Sequence, residues 1–220
     1  MLQTIGNIIA GYFAADFVSG IGHWLEDTYL KTDTPLFGSI AAANQMHHLR
    51  PALMCHFNYF QTVKTTFGLL LPVYVACLYF GVGLNPGVIT FFLATLNVNE
   101  FHKWSHMQKK ELWYPVQMLQ NARIILNRQD HKLHHTRPFN SQYCVVSGGM
   151  NYILDGIGFW RFIEAVIYYT TGAEPRKNDD PEIWTTYEKI YPGLLASAGI
   201  QPHENGPYVA KPTSSESTQS

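Results

Sequence analysis

The chain has 220 residues with 15 lysines and arginines against 16 acids, and a net charge of −1 supplies no field to attract nucleic acid. Charged residues make up 14% of it, below the roughly 25% of a soluble protein, and aromatic residues another 14%. Three cysteines (Cys55, Cys77, Cys144) with no CxxC argue against a disulfide framework or a cysteine-zinc site.

Residues Leu2–Ala15 carry no charge, and "ADFVSGIGHW" extends them into a long first helix. No basic region precedes this apolar run, so it is not read as a cleaved signal peptide. Asp16 inside it is costly in lipid and is expected to face protein or a polar cavity. His23 and Asp27 follow in "GHWLEDT", four residues apart on one helical face. His47 and His48 are paired in "NQMHHLRP".

Thr65–Asn99 is 35 residues without a charged side chain, interrupted by the turn signal "LNPG". The first arm, Thr65–Leu84, has the ~20 residues that cross a ~30 Å hydrocarbon layer. The second runs from Val88 toward Asn99, and together they predict a transmembrane hairpin, with Pro72 a tolerated kink. Beyond it "NEFHKWSH" holds His102 and His106 as HxxxH, and "QDHKLHHTRPFN" holds His131, His134 and His135 as HxxHH. Seven Lys or Arg against three acids between Glu100 and Arg137 put that segment in the cytosol. Gly156–Gly172 is too short and too charged to cross, and reads as an interfacial helix anchored by Trp160, Tyr168 and Tyr169. The Pro-, Ser- and Thr-rich tail from His203 to Ser220 reads as disordered, leaving residues 1–202 as one membrane domain.

Eight of the ten histidines fall at or near the cytosolic edge: His23, His47, His48, His102, His106, His131, His134 and His135. Spacings of i, i+3 and i+4 aim imidazoles to one side of a helix. A structural zinc takes four ligands and a catalytic one about three, so eight suit two ions. Asp27 is placed as an orienting neighbour or an exposed acid, Asn99 as facing the site or packing. Lys132 and Arg137 are candidates for a lipid phosphate or plain interfacial cations. The fold expected is an all-α integral membrane protein: a transmembrane helical bundle with a cytosolic helical cap carrying a histidine-rich dimetal site. A site at the bilayer edge calls for a lipid substrate.

"ADFVSGIGHWLEDT", "HHLRP", "FHKWSH", "HKLHH" and "GGMNYILDGIGFWRFIE" resemble the plasmanylethanolamine desaturase family, which has the plastid phosphatidylglycerol acyl desaturases as relatives. The resemblance covers about Ala15 to Arg176. It implies oxidation of a 1-alkyl ether phospholipid to its vinyl ether, with two Fe ions, O2 and an external electron donor (cytochrome b5 or ferredoxin). By the same resemblance the eight histidines are metal ligands and Asp27 an essential catalytic neighbour. The expected site is the endoplasmic reticulum membrane in a eukaryote, or the inner membrane in a bacterium. The chain departs from the family's plasmalogen-forming members after the HH pair: Arg50 stands before Pro51 where they carry Asp. "CHFNYFQT" follows, in which His56 keeps one element of a lipid-shaping run. An acyl-phospholipid desaturase and a lipid hydroxylase with the same site stay open, as do a zinc-dependent membrane hydrolase and a metal or haem carrier.

Overall fold

A computed structural model describes residues 1–177, 179–180, 182–203 and 206–210. The chain divides into two compact units, Met1–Leu25 with Met54–Pro175, and Glu26–Leu53 with Arg176–Ser220.

The first unit opens with α1, Leu2–Thr28, whose 27 residues give a rod of about 40 Å; its last turn belongs to the second unit. α3 (Tyr59–Tyr79) starts at a capping box, in which Asn58 Oδ1 accepts from Gln61 N (3.0 Å) and Gln61 Oε1 from Asn58 N (2.9 Å). Pro72 lies inside it without ending it. The "LNPG" signal is the next helix start: Asn85 Oδ1 accepts from Gly87 N (2.9 Å) and Val88 N (3.1 Å), and Pro86 takes the first position of α4, Pro86–Leu96. The expected second hairpin arm is thus shorter than the sequence implied. Its 11 residues reach about 16 Å before the helix breaks at Asn97, and α5 (Val98–His106) begins anew. α1 and α3 are each long and apolar enough to cross a membrane.

After α5 come α6 (Tyr114–Asn121), α7 (Arg128–His134), α8 (Asn151–Gly156) and α9 (Phe159–Thr171). Ala15, Ala94, Val98, Leu126, Val145 and Val146 form one apolar cluster, and Leu112, Val116 and Ile125 another. In α9, Tyr168 and Tyr169 are exposed, but Trp160 is no interfacial anchor: it is buried between Trp24 (ring centroids 6.0 Å) and Tyr143 (4.9 Å), and donates to Asp155 Oδ1 at 2.9 Å. An indole so enclosed needs a partner for its N–H, and Asp155 supplies it. Asp16 is fully buried and faces protein, as its cost in lipid required, and accepts from the backbone of the loop before α8.

In the second unit α2 (Gly38–Leu49) packs on α10 (Ile183–Ile190), followed by α11 (Leu194–Ser197). Gln45 and Asp180 bond reciprocally: Gln45 Nε2 donates to Asp180 Oδ2 and Asp180 N to Gln45 Oε1, both at 2.8 Å. Helices dominate, as expected, but Ile200–His203 and Gly206–Ala210 pair as antiparallel strands. The segment expected to be disordered from His203 therefore begins in a short ladder. Residues 204–205 and 211–220 lie outside the described residues.

Candidate metal centre

In α5 the i, i+4 step puts His102 and His106 on one side, ring centroids 5.2 Å apart. α7 is started by Asn127, whose Oδ1 accepts from Gln129 N and Asp130 N at 2.9 Å each. That start fixes the phase in which His131 (1% exposed) and His134 (0%) fall on the buried face. His135 ends the helix, its N–H still bonded to the His131 carbonyl. Arg128 holds the two helices together by donating to the carbonyls of His106 (3.3 Å) and Met107 (3.2 Å), where a helix C-terminus favours a cation.

These helices bring His102, His106, His131 and His135 together, each with a ring nitrogen within 4.8 Å of the others'. His131 Nε2 lies 2.8 Å from His102 Nε2 and 3.0 Å from His135 Nε2. An imidazole nitrogen has one in-plane site, a lone pair or a proton, and cannot make two full hydrogen bonds there. Two nitrogens bound at ~2.1 Å and at right angles to one ion stand about 3 Å apart. The donor set therefore fits a metal better than it fits a hydrogen-bonded network. Burial, followed by the neighbouring imidazoles, pushes the pKa of His102 and His131 well below the ordinary histidine value. Both are neutral at pH 7, the ligating form.

His23, from the end of α1, and His134 form a second pair, ring centroids 4.4 Å apart. His23 Nδ1 faces the Tyr143 carbonyl at 3.2 Å and His134 Nδ1 the Ser141 carbonyl at 2.8 Å. A carbonyl accepts only, so each Nδ1 carries a proton, which leaves Nε2 as the ring nitrogen that could bind an ion. This is how imidazoles are oriented toward a metal.

In the second unit His47 and His48 end α2, ring centroids 5.8 Å apart. His48 Nε2 is 2.9 Å from Asp27 Oδ1, which also accepts from Asn44 Nδ2. Asp27 thus touches an imidazole rather than standing exposed.

The weaker candidates do not join the histidines of the first unit. Asn99 Nδ2 donates to Thr62 O (3.2 Å) and Thr66 Oγ1 (3.1 Å), packing α5 on α3. Lys132 and His56 are exposed; Arg137 is exposed too, lying over the Phe139 ring at 5.6 Å. Sequence reading missed Ser141 and Tyr143, which act through backbone carbonyls and so have no residue signature. It also missed Asn127, whose Asn followed by Asp at the third position is a readable helix start.

The chain matches the lipid desaturase domain family over residues 12–178. It is 33% identical over 186 residues to the plasmanylethanolamine desaturase of Myxococcus xanthus, covering 80% of this chain and 64% of that protein. It is 33% identical to plasmanylethanolamine desaturase 1 of Mus musculus (80% and 69%), and 34% identical to the chloroplastic fatty acid desaturase 4-like 1 of Arabidopsis thaliana (84% and 63%). The chain therefore spans under two thirds of the bacterial and plant proteins. No solved structure matches it.

Proposed function

This chain belongs to the lipid desaturase domain family, and on that premise we propose that it is an O2-dependent membrane desaturase that converts a 1-alkyl ether phospholipid to its vinyl ether. The observation that carries the reading is the convergence of the imidazoles of His102 and His135 on that of His131, with separations suited to ligands of one ion. The proposed ligands of two iron ions are His23, His102, His106, His131, His134 and His135, with His47 and His48 added by the sequence resemblance. Asp27 is the acceptor that orients His48.

Bound iron supplies, with O2, an oxidant strong enough to break an unactivated C–H bond. The reaction balances as one CH2–CH2 unit, O2, two electrons and two protons giving CH=CH and two waters, so an external electron donor is needed (cytochrome b5 or ferredoxin). The protein's part is to hold imidazoles in the neutral form and to keep water from the reacting carbon. Burial of His102 and His131 does both. α1 and α3 are proposed to span the bilayer, with α5 and α7 at its cytosolic surface where basic residues gather. The lipid then enters from the membrane, of the endoplasmic reticulum in a eukaryote or the inner membrane in a bacterium.

A second reading, desaturation of an acyl chain, is favoured by the equal likeness to the plant fatty acid desaturase-like protein and by Arg50 with "CHFNYF". Lipid mass spectrometry of plasmalogen-deficient cells expressing the parent or His134→Ala separates the two. Vinyl ethers with the parent alone support the first reading. A new acyl double bond without vinyl ethers replaces it with the second.

A further inference from the structure

Asp16, Ser19, Gly20 and His23 share one face of α1, at i, i+3, i+4 and i+7. Along that face the segment from Tyr143 to Met150 runs in the opposite direction, matched contact by contact. The Tyr143 carbonyl meets His23 Nδ1. Cys144 packs on Gly20 so closely that a Cβ there would come within 2.5 Å of its sulfur. Val145 N donates to Ser19 Oγ at 3.0 Å. The N–H groups of Val146, Ser147 and Gly148 donate to Asp16 Oδ1 at 3.1, 2.8 and 3.1 Å. Met150 N and the Ser147 hydroxyl complete the other oxygen at 2.9 and 3.0 Å.

One carboxylate thus gathers four backbone N–H groups and a hydroxyl. A single charge holding so many donors fixes the loop more tightly than neutral bonds could. The start of this segment and the residues just before it supply, through Tyr143 and Ser141, the two carbonyls that hold the Nδ1 atoms of His23 and His134. The two imidazoles come from helices more than a hundred residues apart in sequence, and this stretch touches both.

We infer that Asp16 is a positioning residue for the metal centre: it fixes residues 143–150 on α1 and, through the carbonyl of Tyr143 and that of Ser141 just before it, the orientation of His23 and His134. The inference rests on the reading of these histidines as ligands. Asp16 sits two helical turns from His23 and touches no ligand itself. An amide in its place turns an NH2 group toward at least one of the N–H donors, so the loop loosens while the shape of the side chain is kept.

The test uses the purified full chain in detergent, loaded with Fe2+ or with Co2+ as a spectroscopic probe. Metal release to a chelator and the visible Co2+ bands are compared among the parent, Asp16→Asn and Val116→Ala. Val116 lies in the Leu112–Ile125 cluster, which packs against Phe101, Trp104 and Met107 and includes neither Asp16 nor residues 143–150, so its truncation lowers stability without removing a bond of that loop. The expected result is release roughly tenfold faster from Asp16→Asn, in the range that partners of metal ligands command. Shifted Co2+ bands should accompany it, while Val116→Ala keeps the parent's rate and bands. Parental release and bands in Asp16→Asn overturn the inference. If Asp16→Asn does not fold, Ser19→Ala, which removes one loop bond, should release metal about two- to threefold faster; an unchanged rate is equally fatal. A parent that takes up neither ion overturns the metal reading together with this inference, an outcome distinct from a metal-holding parent with an indifferent Asp16.

Discussion

α3 and α5 are neighbours in space and opposites in what they bury. α3 keeps Thr62, Val63 and Thr66 inside and turns Phe67, Leu69, Leu71, Val73, Val75 and Leu78 outward, each between 46% and 55% exposed. α5 buries Glu100, His102, Lys103 and Ser105. Neither pattern suits a helix lying between a core and water. α3 makes sense if its solvent is hydrocarbon, where outward leucines cost nothing and inward threonines find partners. α5 makes sense if its interior is a polar site. The two meet in a network: Thr62 Oγ1 donates to Glu100 Oε2 (2.7 Å), Glu100 pairs with Lys103 (2.7 Å), and Lys103 Nζ donates to Phe57 O (3.2 Å). A buried ion pair holds only when further hydrogen bonds offset its desolvation, and these supply them. The polar face of α5 is therefore tied to α3 by polar groups near that helix's N-terminal end.

The sharpest way to break this contrast is on the polar side. His131→Ala removes the imidazole whose Nε2 meets both His102 and His135. Desaturation should fall below detection, more than ~10^3-fold, and bound iron should fall with it, read by elemental analysis of the purified chain. Normal iron content with lost activity would move His131 from ligand to some other role. On the apolar side, Leu69→Arg places a guanidinium near the midpoint of α3, at a position 49% exposed. At the centre of a membrane helix this costs about 3 kcal/mol, roughly a hundredfold in insertion. The variant should shift from the membrane to the aggregate fraction. Unchanged membrane partition would mean that α3 does not face lipid.

The same contrast explains what could be read without coordinates. An apolar helix at α3, expected over Thr65–Leu84 and found at Tyr59–Tyr79, and the groups at 102/106 and 131/134/135 are legible because apolar runs and side-chain chemistry are written in residue types. The break at Asn97 was not, since the charge-free run continues unaltered through it and only the local capping of Asn85 and the end at Leu96 divide it. Trp160 was misplaced for a related reason: an aromatic in a charged amphipathic segment looks interfacial until Trp24 and Tyr143 enclose it. Asp16 was legible as a problem, a charge that lipid would reject, but not in its solution, because the donors are backbone groups 130 to 134 residues away.

Asp27 tests whether an orienting contact matters in the second unit as the loop carbonyls do in the first. Asp27→Asn keeps an oxygen near His48 but removes the charge that its imidazole N–H meets at 2.9 Å. Activity should drop by tens of fold, as for other partners of metal ligands, with membrane insertion intact. A change under twofold would leave Asp27 a packing group.

The smallest effect expected is at Asp180, in the second unit. Burial opposes its charge, yet hydrogen bonds from Gln45 and Thr32, with Arg176 nearby, hold its carboxyl below the usual 3.8. A depressed carboxyl adds stability above its unfolded value and loses it as pH falls through the folded one. Asp180→Asn should therefore cost about 1 kcal/mol near neutrality, seen as a melting point about 3 °C lower. The gap from the parent should close below roughly pH 3.8 as Asp180 itself takes up a proton. A gap that persists in acid would mean that Asp180 acts through its shape and its backbone N–H to Gln45 rather than through its charge. In that case, unlike the carboxylate of Asp16, this one would contribute no more than a neutral hydrogen-bonding group.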